Sequence, residues 1–321
     1  MNKMHTLPAL PPRIRHILSA ALLMPCLAGA APFAYVSNEK SGTVSVIDTA
    51  SDSVVAEMKA GAKPRGAAAA RNMLYVSDQP ANALVVLDLA SRTNAGAVAL
   101  GESPEGVSAS AAGDWIAAAS EVTNAVSFID TATRRKEFSV ATSGKNPEHA
   151  VFSPDGKLVM VSAEEADSVD LIDIAARKEV ASIKVGLRPR GIAFRPDGKV
   201  AYVACEIASM VYAIDVPGRK VLKEIKAGNF SNGVTMAPDG SRVYISNGKD
   251  GTVSVIDTAS NTVVATIPVG KRPWNMAITP DGKKLYVANG RSNSVSVIDT
   301  AANTVSKEIN VGELPWGVVI Q

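Results

Sequence analysis

Cysteine and histidine are nearly absent from this chain. Of 321 residues, two are Cys, at 26 and 205, and three are His, at 5, 16 and 149. A disulfide-stapled fold and a multi-histidine metal centre are both excluded by those counts. No Cys-x-x-Cys-His occurs, so no c-type haem is attached. There is no Gly-x-Ser-x-Gly nucleophile elbow either. Residues 248–253, GKDGTV, lack the Gly-Lys-Ser/Thr ending of a phosphate loop. Aromatic residues make up 5% of a chain that is 46% hydrophobic, so its core must be built from Val, Ile, Leu and Ala. Neither charge dominates, with 33 basic and 31 acidic residues, which argues against a nucleic-acid partner. Apart from 17–27, no apolar run approaches the length of a bilayer span, and that one is short for the task.

That apolar run belongs to a recognisable leader. Lys3, Arg13 and Arg15 precede it and Ala28-Gly29-Ala30 follows it, the pattern of a secretory signal with a small-residue cleavage site. Pro25 ahead of Cys26 argues against a lipoprotein anchor. Residues 1–30 are therefore expected to be a signal peptide and 31–321 the exported domain, periplasmic or secreted. Removal of the leader leaves Cys205 and His149 as the sole residues of their types.

What the chain has in abundance is repetition. TVSVIDT stands at 43–49 and again at 252–258, and SVSVIDT at 294–300. Weaker copies fall between them, and the seven aspartates are Asp48, Asp88, Asp130, Asp173, Asp215, Asp257 and Asp299, spaced 40, 42, 43, 42, 42 and 42 residues apart. The fullest unit, 270–312, holds four short runs rich in Val, Ile or Tyr, at 275–279, 284–289, 294–299 and 304–310, separated by turn-forming PDGK, GRSN and TAAN. No stretch carries a helical period. Four antiparallel strands at this spacing form one blade of a β-propeller, and seven copies predict seven blades, an all-β fold. The exported chain begins on the second strand of a blade, and 316–321 supplies an unpaired first strand. The C-terminal strand is predicted to pair into the first blade and close the ring.

The segments LYVANGRSNSVSVIDTAANTV and IPVGKRPWNMAITPDGKKLYV resemble the YVTN-family β-propeller repeat, and the likeness extends over 32–321. It is eroded in blades two and three, where Arg71–Met73 and 110–114 replace PDG. Seven repeats behind a leader, with RPWNMAITPDGKKLYVAN and a closing PWGVVIQ, are similar to the exported propellers associated with pyrroloquinoline quinone-dependent alcohol catabolism. That resemblance implies an accessory or binding role, with a periplasmic quinoprotein dehydrogenase, a cytochrome or a solute-binding protein as partner. It implies no cofactor held by this chain: the quinoprotein dehydrogenases themselves resemble it poorly, having adjacent cysteines and repeated Trp motifs.

Six of the seven loops leading into a blade carry Pro, at 64, 104, 147, 189, 273 and 315, with Ser231 in the remaining one; Gly follows two places later in most. Read as type I turns, these loops put their middle residues at the channel mouth. In order round the ring those residues are Arg65, Glu105, Glu148, Arg190, Asn232, Trp274 and Trp316, with His149 in place of a Gly. One arc is charged and the other aromatic, which suits a small planar ligand whose carboxylate an arginine holds. The same residues also suit charge pairing across the mouth with tryptophans plugging the channel. Glu39, Glu121, Glu164 and Glu206 share one column beyond the second strand and are read as a solvated face, because calcium needs converging oxygens. No metal and no catalytic constellation is assigned. A lactonase-like hydrolase and a cell-surface interaction module remain alternative functions, since propellers host many.

Overall fold

Each repeat folds locally as its turn residues dictate. In the fullest one, β24 (Pro273–Ile278), β25 (Lys284–Asn289), β26 (Ser294–Asp299) and β27 (Thr304–Asn310) pair in order as antiparallel neighbours. Gly282 takes φ of 72° in the turn between the first two, a conformation that side chains disfavour. The repeated aspartate holds the turn between the last two: Asp299 Oδ1 accepts the amides of Ala301 and Ala302, both at 2.9 Å. Asp48, Asp88, Asp130, Asp173, Asp215 and Asp257 do the same work in the other blades. An Asp side chain that replaces a backbone partner is a strong turn former, which is why the residue recurs at a fixed place.

The computed structural model describes Met1 and residues 31–321; the proposed leader otherwise lies outside the described residues. Twenty-eight strands make seven four-stranded sheets. Blade 1 joins β1 (Phe33–Asn38), β2 (Thr43–Asp48) and β3 (Ser53–Lys59) to the last strand, β28 (Pro315–Ile320). Blades 2 to 7 occupy 64–99, 104–141, 147–184, 189–226, 231–268 and 273–310. The innermost strands touch in succession: β4 (Pro64–Ala70), β8 (Pro104–Ala109), β12 (Pro147–Phe152), β16 (Pro189–Phe194), β20 (Ser231–Met236), β24, β28 and back to β4. No helix of the described residues is long and apolar enough to cross a membrane.

The core is not one mass but seven, each built from the facing sides of two adjacent blades. Tyr35, Val44 and Val46 of blade 1 pack with Leu74, Val76 and Val85 of blade 2. The series ends with Tyr286, Val295 and Val297 of blade 7 against Ala34, Val36, Ile47 and Val318 of blade 1. The middle strands are buried on both faces, as in β25, while outer β27 is exposed at six of its seven positions, with Ile309 alone turned inward. Double-sided burial explains the composition: every blade spacing must be filled by short aliphatic and small side chains, leaving few places for rings.

Closure takes the predicted form. β28 pairs antiparallel with β1, matching Ala34 with Ile320, Tyr35 with Val319 and Val36 with Val318. Phe33 and Gln321 extend the ladder by exchanging backbone hydrogen bonds at 2.9 and 3.0 Å. The start of the inner strands differs from the sequence reading. Pro-x-Gly is not a turn ahead of the strand but its first three residues, and it carries a bulge. In blade 5, Pro189 pairs with Cys205 and Ile192 with Val203, so Arg190 and Gly191 together oppose Ala204. The bulge throws the middle residue out of the ladder toward the mouth.

Truncation after Gly312 is expected to remove this strand and leave blade 7 with an open face. Lost hydrogen bonds each contribute about 0.5–1.5 kcal/mol, and the burial of Val318 is lost with them. The truncated protein should melt many degrees lower by circular dichroism; an unchanged melting curve would contradict closure by this strand.

Candidate functional site

The glycines of the bulges let neighbouring blades meet at the mouth. A Cβ on Gly66 would lie 2.3 Å from the Glu105 carbonyl oxygen, and one on Gly233 2.3 Å from that of Trp274. Two blades break this rule, with His149 in blade 4 and Asn275 in blade 7. Both side chains enter the channel. The His149 ring stacks on Trp316, reaching from blade 4 to blade 1, with centroids 5.6 Å apart and planes 13° from parallel. Asn275 donates to the Trp316 carbonyl at 3.4 Å and approaches the His149 ring. Trp316 is 8% exposed. His149 and Trp316 therefore form a plug, with Asn275 beside it.

Above the plug is a cavity of about 150 Å³ lined by Glu39, Arg65, Glu148, Arg190, Asn232, Arg272, Trp274, Asn275 and Trp316. It unites Arg65, Glu148, Arg190, Asn232, Trp274 and Trp316 from the sequence reading, while Glu105 and His149 stand behind its wall. Arg272 and Asn275 were not foreseen. Asn275 was legible as a second departure from the bulge glycine. Arg272 was not, because it precedes the Pro and sits at φ of 55° outside the bulge.

The charges of the mouth are locked to one another. Arg65 bridges Glu105 and Glu39, its Nε 3.3 Å from the latter. Arg190 binds Glu148, Glu164 at 3.1 Å and Glu206 at 3.1 Å. Arg272 Nη2 meets Glu206 at 2.5 Å, and Arg188 bridges Glu164 and Glu206. The column of glutamates is thus no solvated face: Glu164 is 6% and Glu206 1% exposed. Arginines of the blade-opening loops fold back over them, which burial of a carboxylate requires. Glu105, Glu121 and Glu148 bring carboxylate oxygens within 4.8 Å of one another. Two of these carboxylates already serve Arg65 and Arg190, and Glu121 accepts from Ser103 at 2.7 Å.

These environments separate the carboxylates. Burial, reinforced by the charge of Glu148, pushes Glu105 up to about 10 against the pull of Arg65, so its carboxyl is neutral at pH 7. Burial also presses on Glu148, but Arg190, then His149 and Arg65, hold it below the usual carboxylate range. For Arg190, the three glutamates outweigh burial and raise it above its ordinary value. Burial lowers His149, with Arg190 adding to it, against the charge of Glu148 and the Asn275 side chain. The lone Cys205 is fully buried, and burial pushes its thiol up to about 12, which makes it unreactive.

Residues 140–311 match the family model described as "Lactonase, 7-bladed beta-propeller". No curated protein matches the chain in sequence. Among solved structures, hydrazine synthase of Kuenenia stuttgartiensis is 26% identical with a TM-score of 0.76, the match covering 83% of this chain and 92% of that one. A functionally unknown protein from Desulfotomaculum acetoxidans is 17% identical with a TM-score of 0.79, over 90% of this chain and 98% of that one, and shares the fold.

Glu105 supplies a pH test. Its folded-state pKa lies above the unfolded value, so it retains a proton in the native state that it loses on unfolding. Its contribution is fully present at low pH and is lost as pH rises from about 4.3 toward about 10. Glu105→Gln should remove that slope. In urea unfolding from pH 5 to 9, the variant should gain on the parent with each step, by about 1.4 kcal/mol per unit at most. A constant difference would show Glu105 ionised in the folded protein.

Proposed function

The chain belongs to the lactonase, seven-bladed β-propeller family, and we propose that within it this protein works as a binding propeller rather than a hydrolase. It takes a small planar, carboxylate-bearing ligand at the channel mouth and serves exported quinoprotein-dependent alcohol oxidation. One observation carries the reading: every charged group lining the mouth cavity, Glu39, Arg65, Glu148, Arg190 and Arg272, is engaged by an opposite charge. Glu148 keeps one oxygen without a partner, but Arg190 holds its carboxylate below the usual range, which makes it a weak base for activating water. His149, the one imidazole of the exported domain, does not line the cavity; its ring packs against Trp316 with both nitrogens buried. What the cavity does present is the Trp274 ring, the Asn232 and Asn275 amides and guanidinium edges, which are recognition groups.

The role in alcohol catabolism is supported by the repeat resemblance and by the leader pattern, and it names the partners to be sought. They are a periplasmic quinoprotein dehydrogenase, its cytochrome or a solute-binding protein.

The exported domain, 31–321, should give no rate above background on a panel of sugar and acyl lactones. Affinity capture from induced periplasm should recover one of those partners. Hydrolysis of a lactone that is abolished by Arg190→Ala would reverse the assignment in favour of an enzyme. A Trp274→Ala variant should weaken aromatic carboxylate binding by about tenfold, the loss of a stacking contact of roughly 1–1.5 kcal/mol.

A further inference from the structure

The seven blades provide their own internal control. At the position just beyond the second strand, five of them carry a polar side chain: Glu39, Gln79, Glu121, Glu164 and Glu206. Blades 6 and 7 carry Gly248 and Gly290 instead, each followed by a cation, Lys249 and Arg291. Nothing in the backbone demands these glycines, since neither has a positive φ. Their work is to make room. A Cβ on Gly248 would lie 3.0 Å from Arg272 Nη1, and one on Gly290 2.7 Å from the Trp274 ring. Carboxylates have been exchanged for space in two adjacent blades, and a guanidinium and an indole occupy it.

The exchange leaves the sector electropositive. A cleft of about 670 Å³ is lined by Phe230, Lys249, Lys271, Arg272 and Arg291, with Asp250 the one acid in its wall. Asp250 is engaged by Asn229, accepting its backbone amide at 2.7 Å and its side-chain amide at 2.9 Å. Among the described residues, no carboxylate pairs with Lys249, Lys271 or Arg291, all three of which are exposed. Phe230 stands at φ of 59°, and its ring lies between Lys249 Nζ and the Arg272 guanidinium carbon, each 5.6 Å from the centroid. The equivalent cleft between blades 4 and 5 has the opposite character: Glu164, Glu165 and Asp167 line it, with Arg188 its one cation. Arg272 lines both this cleft and the mouth cavity, so one side chain forms a wall of each.

We infer that the cleft between blades 6 and 7 is a binding site for a flat molecule bearing two or more carboxylates. The unpaired cations of Lys249, Lys271 and Arg291 meet the carboxylates, and Phe230 supplies an apolar face. The inference rests on the binding reading above and narrows its ligand to a polyanion.

Benzene-1,3,5-tricarboxylate is the probe, with benzene-1,3,5-trimethanol as its neutral counterpart and inorganic phosphate as the alternative anion. Titration of the exported domain by calorimetry and tryptophan fluorescence should show saturable binding of the tricarboxylate that weakens with added salt. Lys249→Glu with Lys271→Glu should weaken it about tenfold or more, with an unchanged melting temperature, because both side chains are exposed. The neutral counterpart should not compete. Equal binding of the triol, stronger binding of phosphate than of the tricarboxylate, or an affinity within about twofold after charge reversal would each overturn the site. These outcomes are separable from the proposed function. Lactone turnover with tricarboxylate binding intact would sink the binding-propeller reading alone. An aromatic monocarboxylate that still binds through Trp274 when the tricarboxylate fails would sink the cleft alone.

Discussion

A four-stranded blade whose middle strands are apolar on both faces cannot be stable by itself, and that constraint organises the molecule. Each face must find another blade, so the chain must form a ring and the ring must be sealed. The seven inter-blade cores and the β28–β1 ladder are two expressions of this requirement. The short aliphatic composition follows from it, because the gap between blades is fixed by sheet packing and admits few large rings.

The same closure creates the mouth. Innermost strands that converge on one axis bring their bulges within van der Waals reach, and glycine is needed where backbone meets backbone. Charged side chains thrown inward by the bulges enter a space too narrow for hydration. They survive there because each arginine meets several carboxylates, and because Glu105 gives up its charge. The departures from glycine, His149 and Asn275, fill the channel under that layer. Exposed cations without a carboxylate partner stand in the sector between blades 6 and 7, beside Phe230.

Much of this was legible in the residues. The period of the Asp positions, the turn residues and the unpaired terminal strand led to blade number, strand order and closure, all of which the structure bears out. The mouth residues were legible as well, since one per blade is marked by its Pro, and six of the eight named from sequence line one cavity. What failed was depth and partnership. Pro-x-Gly read as a turn gave no hint of a bulge, and two glutamates of the column read as exposed, Glu164 and Glu206, are buried. Arg272 escaped notice because nothing in its local sequence says that it reaches across to Glu206 in another blade.

Sequence by itself therefore determined the repeat, the blade count, the closing strand and the identity of the mouth residues, because each depends on short-range alternation and turn chemistry within about 42 residues. Tertiary structure alone decided which charges pair, which carboxylate is neutral, which rings plug the channel and where cations stand unopposed. Those properties arise between residues from 16 positions apart, as in Arg190 and Glu206, to 167, as in His149 and Trp316, and no local pattern encodes the distance or the dielectric that they share once the blades pack.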